Sequence, residues 1–287
     1  MKRLIIAMAC TLSVIAAMSQ PMSSQQAKAY IVQLVKDTQP SLPSTNHSKR
    51  IWYECTYTNN VITMKYVLQN NDYKEVMQPF QNGMGIKEKE YLACVYRYED
   101  LKFFVGYCRL VPAAYEAFNK SGVTIISKVY NATKTKLLTS FNFKYSDMKC
   151  LKKMEEDGMS MVQIMGLYGH EIGFKKGFEL AASKVPYMVA TNEYVYEQSL
   201  KDKLLTYKIA VPSEHYKVMK LTGEKQTKNK VMGQICEIYK NEPRTIYLFK
   251  YLGYRIKNIY TDTDNPQSNN ITITISDKEL IDYINCK

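Results

Sequence analysis

The residues to test first for chemistry are the three histidines, His47, His170 and His215. His170-Glu171 begins like the helix of a zinc hydrolase, but Phe174 stands where a second imidazole is required. Zinc is gripped there by two imidazoles one turn apart, so a lone His-Glu reads as structural. Ser160 lies in Gly158-Met159-Ser160-Met161-Val162, which lacks the second glycine of a nucleophile elbow. Cys108, set among Phe103, Phe104, Val105 and Leu110, has the surroundings of a core thiol rather than of an activated nucleophile. Gly83-Met84-Gly85 follows Pro79-Phe80-Gln81-Asn82 instead of a strand, and neither phosphate-loop spacing occurs. The motifs therefore imply no catalytic set, no metal and no cofactor.

Two residue classes are left. Met148, Met154, Met159, Met161 and Met165 form a methionine-dense run. Thioethers suit soft ions such as Cu(I), with His170 as a further ligand, but methionine also fills irregular gaps where two bodies meet. The second reading is preferred. Tyrosine is in excess, 24 in 287 residues. Tyr53, Tyr57, Tyr194 and Tyr196 fall in or near the first hairpin of each half, where a ring beside Lys or Asn can stack on a sugar or anchor a protein. They are the candidate binding residues. An exported, non-enzymatic binding or interaction protein is the expected function. The alternatives are an exported hydrolase with a site of scattered acidic and tyrosine residues, and a metal or small-ligand carrier using Met and Cys.

Residues 1–19 read as a cleaved signal peptide. Met1-Lys2-Arg3 is positive, Leu4 to Ala17 is uncharged and mostly apolar, and Ala17-Met18-Ser19 supplies small residues for cleavage. The expected address is periplasmic, cell-surface or secreted, with the membrane involved only through export. Formal net charge is +12, or +10 without Lys2 and Arg3. The lysines are scattered rather than clustered, so no nucleic-acid partner is expected, and the expected partner is a protein or a polysaccharide. Cys55, Cys94, Cys108, Cys150, Cys236 and Cys286 would remain after cleavage, an even count that permits disulfides without choosing among them. Asn46, Asn119, Asn131 and Asn270 head N-x-S/T triplets, which are glycan acceptors only in a eukaryotic secretory pathway.

The strongest pattern along the chain is self-similarity. Val61 to Leu68 (VITMKYVL) matches Leu204 to Val211 (LLTYKIAV): one face is apolar at every second residue, and the other carries the matched Thr and Lys. Tyr73-Lys74-Glu75-Val76-Met77 and Tyr216-Lys217-Val218-Met219 follow at similar offsets. Phe141 to Asp147 and Ile271 to Asp277 alternate in register and both end in Ser-Asp. Each copy opens with a helix. Ser24 to Asp37 has the apolar stripe Ala27, Tyr30, Ile31, Leu34, Val35. About Met161 to Lys184 is its counterpart, where four glycines predict a break. Turns are expected at Asn59-Asn60, Lys201-Asp202 and Asp262 to Asn270, and helical middles over 87–120 and 225–252, ended by Gly122 and Gly253.

The fold class is thus α+β: two tandem similar units, each a roughly four-stranded antiparallel sheet with helices packed on one face. The boundaries are a signal peptide at 1–19, a first unit at 20–150, a linker at 151–160 and a second unit at 161–287. The order of elements and the Ser-Asp-terminated hairpins resemble uncharacterised exported bacterial proteins with a duplicated α+β unit. More loosely, the layout is similar to the tandem-repeat architecture of secreted β-lactamase inhibitor proteins. Both resemblances are architectural and imply no function.

Overall fold

The structure, a computed structural model, describes residues 21–45, 49–82, 86–239 and 242–285. The signal-peptide reading of 1–19, His47 and Cys286 lie outside them. Contacts divide the chain into unit 1, up to Gly169, and unit 2, from His170.

Unit 1 begins with α1 (Ser24–Thr38), held by a capping box between Ser23 and Gln26. Its buried residues include Ala27, Ile31, Leu34 and Val35, as the stripe requires, while Tyr30 is half-buried. Then come β1 (Ser44–Thr45), β2 (Arg50–Thr58) and β3 (Val61–Leu68), and the helices α2 (Asn70–Met77), α3 (Glu88–Leu110) and α4 (Pro112–Ser121). β4 (Thr124–Asn131), β5 (Leu137–Lys144) and α5 (Tyr145–Glu156) follow. α6 (Met161–Ala182) contains the division between the units. Unit 2 continues with β6 (Tyr187–Ala190), β7 (Glu193–Lys201), β8 (Leu204–Val211), α7 (Ser213–Tyr239) and α8 (Pro243–Leu252). β9 (Arg255–Asp262), β10 (Ile271–Ile275) and α9 (Asp277–Asn285) complete it.

Each unit is a five-stranded sheet with helices, in the strand orders β1-β2-β3-β4-β5 and β10-β9-β8-β7-β6. The α+β class and the two sheet-plus-helix units are as expected, with two corrections. The sheets have five strands, because β1 and β6 are short edge strands hidden behind prolines in the sequence. They are also mixed: β3 pairs parallel with β4, and β8 with β9. The connection between those strands runs through helices, and a helical crossover returns the chain in the same direction, which a hairpin cannot do.

The matched strands hold matched places. Ile62, Met64, Tyr66 and Leu68 are all buried, and so are Leu205, Ile209 and Val211. Tyr207 is half-buried, its ring edge-on to Phe178 at 5.6 Å. In unit 1, Phe104 meets Phe118 and Phe143 edge-on at 5.4 and 5.5 Å. In unit 2, Leu248, Phe249, Tyr254, Ile273 and Leu280 fill the core.

Gly122 and Gly253 follow α4 and α8 in the left-handed conformation, at φ 62° and 71°, which stops the helix at little steric cost. Asn59 and Asn60 both have positive φ, the geometry of a two-residue hairpin turn. In unit 2 the turn residues are Asp202 and Lys203, one position later than expected.

Further corrections concern helices. α6 runs unbroken through its glycines; a Cβ at Gly166, Gly173 or Gly177 would meet nothing within 4 Å. Each glycine weakens a helix by about 1 kcal/mol without having to break it. The break lies instead in α7, at Gly223 (φ 78°). Residues 151–160, read as a linker, begin with the last turns of α5, where Leu151 and Met154 are buried. The two Ser-Asp pairs, read as the ends of the last hairpins, stand instead at the starts of helices α5 and α9.

Candidate functional site

Alternation places one row of each strand against the helices and the other on the opposite sheet face. On β3 and β4 that opposite row includes Thr63, Lys65, Ile126, Lys128 and Tyr130, each partly exposed, and the buried Val67. On β8, β9 and β10 it includes Thr206, Lys208, Lys257, Ile259, Thr261, Thr272 and Thr274. Hydroxyls and ammonium groups dominate both faces.

Each sheet carries two pairing irregularities; one is peculiar to its unit, at Leu138 of β5 and at Val189 of β6, and the other is common to both. Trp52 pairs with Tyr66 and Glu54 with Lys65, so Tyr53 is an extra residue in β2. Val195 pairs with Ile209 and Glu197 with Lys208, so Tyr196 is the extra residue in β7. A bulge re-aims the side chain it carries and marks a designed feature of a sheet. Beside each bulged tyrosine stands a cross-strand ion pair: Lys65 Nζ lies 2.7 Å from Glu54 Oε1, and Lys208 Nζ 2.7 Å from Glu197 Oε2. Hydrogen bonding to the glutamate raises the pKa of each lysine, so both ammonium groups stay charged. Each bulge therefore presents an aromatic ring, an anion and a cation within one small area.

Of the expected binding residues, Tyr53 lies under Lys134, whose Nζ is 4.2 Å from the ring centroid. Partial burial raises the Tyr53 phenol pKa, while the Lys65 charge opposes the rise. Tyr57 is at the other end of β2 and donates to Asn60 Oδ1 at 3.1 Å. Asn60 in turn donates to the Ser121 carbonyl at 3.0 Å, so Tyr57 braces the turn. Tyr194 and Tyr196 flank the buried Val195 and are 40% and 39% exposed. The Tyr196 hydroxyl is 3.1 Å from Thr261 Oγ1. The structure thus groups Tyr53 with Glu54, Lys65, Tyr130 and Lys134, and Tyr196 with Glu197, Lys208 and Thr261. Glu54, Glu197 and Lys134 were missed from sequence, although the repeated dipeptide Tyr-Glu at 53–54 and 196–197 was there to be read.

A buried charge cluster fixes the start of β2, ahead of the first bulge. Arg50 is fully buried, with Nη2 2.5 Å from Asp100 Oδ1. Its guanidinium lies between the rings of Tyr66 and Tyr96, at 4.1 and 4.2 Å from their centroids. Ser127 Oγ donates to Asp100 Oδ2 at 2.5 Å. Burial is the largest single influence and works against the arginine charge, but Asp100, Tyr66 and Tyr96 together outweigh it and the Arg50 pKa is raised. Burial pushes the Tyr66 phenol well above its ordinary value, so it stays neutral.

The other chemistry-bearing residues take structural places. His170 Nε2 is 2.9 Å from Thr245 Oγ1, and burial lowers its pKa. Glu171 is buried, accepting from the Tyr254 hydroxyl at 3.0 Å and pairing with Lys175 at 2.9 Å. Met148, Met154 and Met165 are buried, while Met161 is 39% exposed. Burial pushes the Cys55 and Cys108 thiols up to about 12. Among the described residues no group of three or more His, Cys, Asp or Glu is placed to hold a metal ion, and no helix is long and apolar enough to cross a membrane.

No protein-family model, no curated protein and no solved structure matches the chain.

Proposed function

We propose that the chain is an exported, non-enzymatic binding protein that takes a polysaccharide on the helix-free faces of its sheets, with Tyr53 and Tyr196 as stacking platforms. The observation that carries this reading is the recurrence of one constellation, a bulged tyrosine beside a cross-strand Glu–Lys pair, at the same register in both units. A tyrosine ring offers a flat apolar face to the C–H side of a sugar. The charged groups, the Thr261 hydroxyl beside Tyr196 and the Thr63 and Thr206 hydroxyls further along the same strands would satisfy sugar hydroxyls. Two equivalent sites on one chain gain avidity on a repeating polymer. The export component rests on residues 1–19 alone.

The test is affinity electrophoresis of residues 20–287 through gels containing neutral and acidic polysaccharides. At least one polymer is expected to retard the protein. Tyr53→Ala and Tyr196→Ala should each weaken retardation by up to about tenfold in apparent affinity, and the double variant should run freely. Retardation by no polymer, or undiminished retardation of the double variant, defeats the proposal.

A further inference from the structure

A second candidate site lies in unit 1, among its helices. The last turns of α3, the start of α4 and the first turns of α5 enclose a pocket of about 70 Å³. Its floor includes Cys108 and Met148, which are 6% and 4% exposed, and Tyr115 forms part of the wall. The Tyr115 ring is held edge-on against Tyr145 at a centroid distance of 4.8 Å, so the wall is braced. Arg109, Lys149 and Lys152 also line the pocket, and no carboxylate does. Lys152 pairs with Glu156 at 3.6 Å, and Lys149 lies 5.0 Å from the Tyr145 ring centroid.

An apolar floor beneath clustered cations selects a ligand with an apolar body and a negative head. Burying the body returns about 25 cal/mol per Å² of apolar surface, while the head stays at the wet rim among the ammonium and guanidinium groups. The size sets an upper limit. A dry cavity of about 150 Å³ holds a whole benzene ring, so this opening admits one edge of a ring or the end of a short alkyl chain. We propose that the pocket binds a small free carboxylate with an aryl or short alkyl body, independently of the sheet faces. Cys108 takes no chemical part: its raised pKa keeps it a thiol, and it serves as floor.

The experiment is a titration of the ¹³C-methyl-methionine protein with benzoate, benzamide and benzylamine, followed at the Met148 methyl. A ligand of this size bound by one edge should have a Kd of about 1 mM, within roughly tenfold either way. Benzoate is expected to move the Met148 signal, with benzamide and benzylamine at least about tenfold weaker. Arg109→Glu/Lys149→Glu, both exposed positions, should lose the benzoate response while keeping the wild-type thermal transition. Equal binding of the three compounds, an unchanged response in that variant, or no Met148 shift at about 50 mM benzoate overturns the inference. Binding to vesicles of anionic phospholipid without a benzoate response overturns it too, since the site would then be a lipid-surface contact.

Discussion

In unit 1 the third strand carries Tyr66 where the corresponding strand of unit 2 has Ile209, and the parallel strand beside it carries Ser127 where unit 2 has Asn258. Arg50 stands four residues ahead of Glu54, and Glu193 stands four ahead of Glu197. Arg50 turns inward to Asp100, Tyr66 and Tyr96, and Ser127 donates to the other oxygen of Asp100. Glu193 meets His215 Nδ1 at 3.0 Å, near the surface. On α7, buried Val231, Met232 and Ile235 form part of an apolar lining. The buried polar contacts of unit 2 lie elsewhere and include Asn258 Nδ2 to the Tyr260 hydroxyl at 3.0 Å and the Tyr254 hydroxyl to Glu171 Oε1 at 3.0 Å. The two frames agree in strand order, bulge position and capping glycine, yet their interiors do not. Register and turns are therefore set by alternation and backbone conformation, which both units keep. The polar cluster is an addition that ties β2 to the crossover helix in unit 1.

The largest expected effect breaks that tie. Asp100→Ala strands a buried guanidinium and should cost unit 1 about 3–5 kcal/mol, because an unpaired buried charge is worse than no charge. Arg50→Met combined with Asp100→Leu should recover most of the loss. Glu193→Ala in unit 2 should cost no more than about 0.5 kcal/mol. Trp52 is the chain's one tryptophan and is buried, so fluorescence in a urea titration reports unit 1. A shift below about 1 kcal/mol for Asp100→Ala would mean that the cluster does not hold β2.

A smaller effect should be the same in both units. Gly122→Ala and Gly253→Ala each force a Cβ into the left-handed region and should destabilise their own unit by about 1–2 kcal/mol. Gly173→Ala provides the opposite sign: it lies inside α6 with open space around it, and alanine there should stabilise by about 0.5–1 kcal/mol. Thermal unfolding followed by circular dichroism measures all three. Different costs at Gly122 and Gly253 would show that the two caps are not equivalent.

Much of this frame was legible in sequence because period-two alternation and capping glycines are local signals. Val61–Leu68 and Leu204–Val211 announced their buried faces, and Gly122 and Gly253 their helix ends. What was missed depends on partners distant in sequence or on brevity. β1 is two residues long. α5 follows its strand directly and α9 after the single residue Ser276, so their opening residues read as strand ends. The parallel pairing of β3 with β4 depends on how a helical crossover returns, which alternation does not encode. Arg50 at a strand start reads as a surface cation, and nothing local directs it to Asp100, 50 residues on. The tyrosines of the candidate site were found by residue type, but their placement at bulges was not, because a bulge shows only in the pairing.

The smallest effect concerns the helix that follows the last strand of each unit, where similar devices sit at different depths. In unit 1, Asp147 accepts from the Lys144 N–H at 2.8 Å and meets Arg97 at 3.3 Å, nearly out of solvent. In unit 2, Glu279 accepts from the Ser276 N–H at 2.9 Å and meets Lys228 at 2.5 Å, with its side chain 45% exposed. The Lys228 hydrogen bond, then the Ser276 N–H, lower the Glu279 carboxyl to about 2. A carboxylate with a depressed folded pKa stabilises above its unfolded value near 4.3, and the contribution fades as pH falls from there through 2. Solvent screening limits it to less than about 1 kcal/mol. Glu279→Gln should therefore lower unit 2 stability slightly at pH 6 and flatten its decline between pH 5 and pH 2, with the two proteins converging at the acid end. Parallel curves across that range would show that Lys228 and Ser276 contribute nothing through this carboxylate.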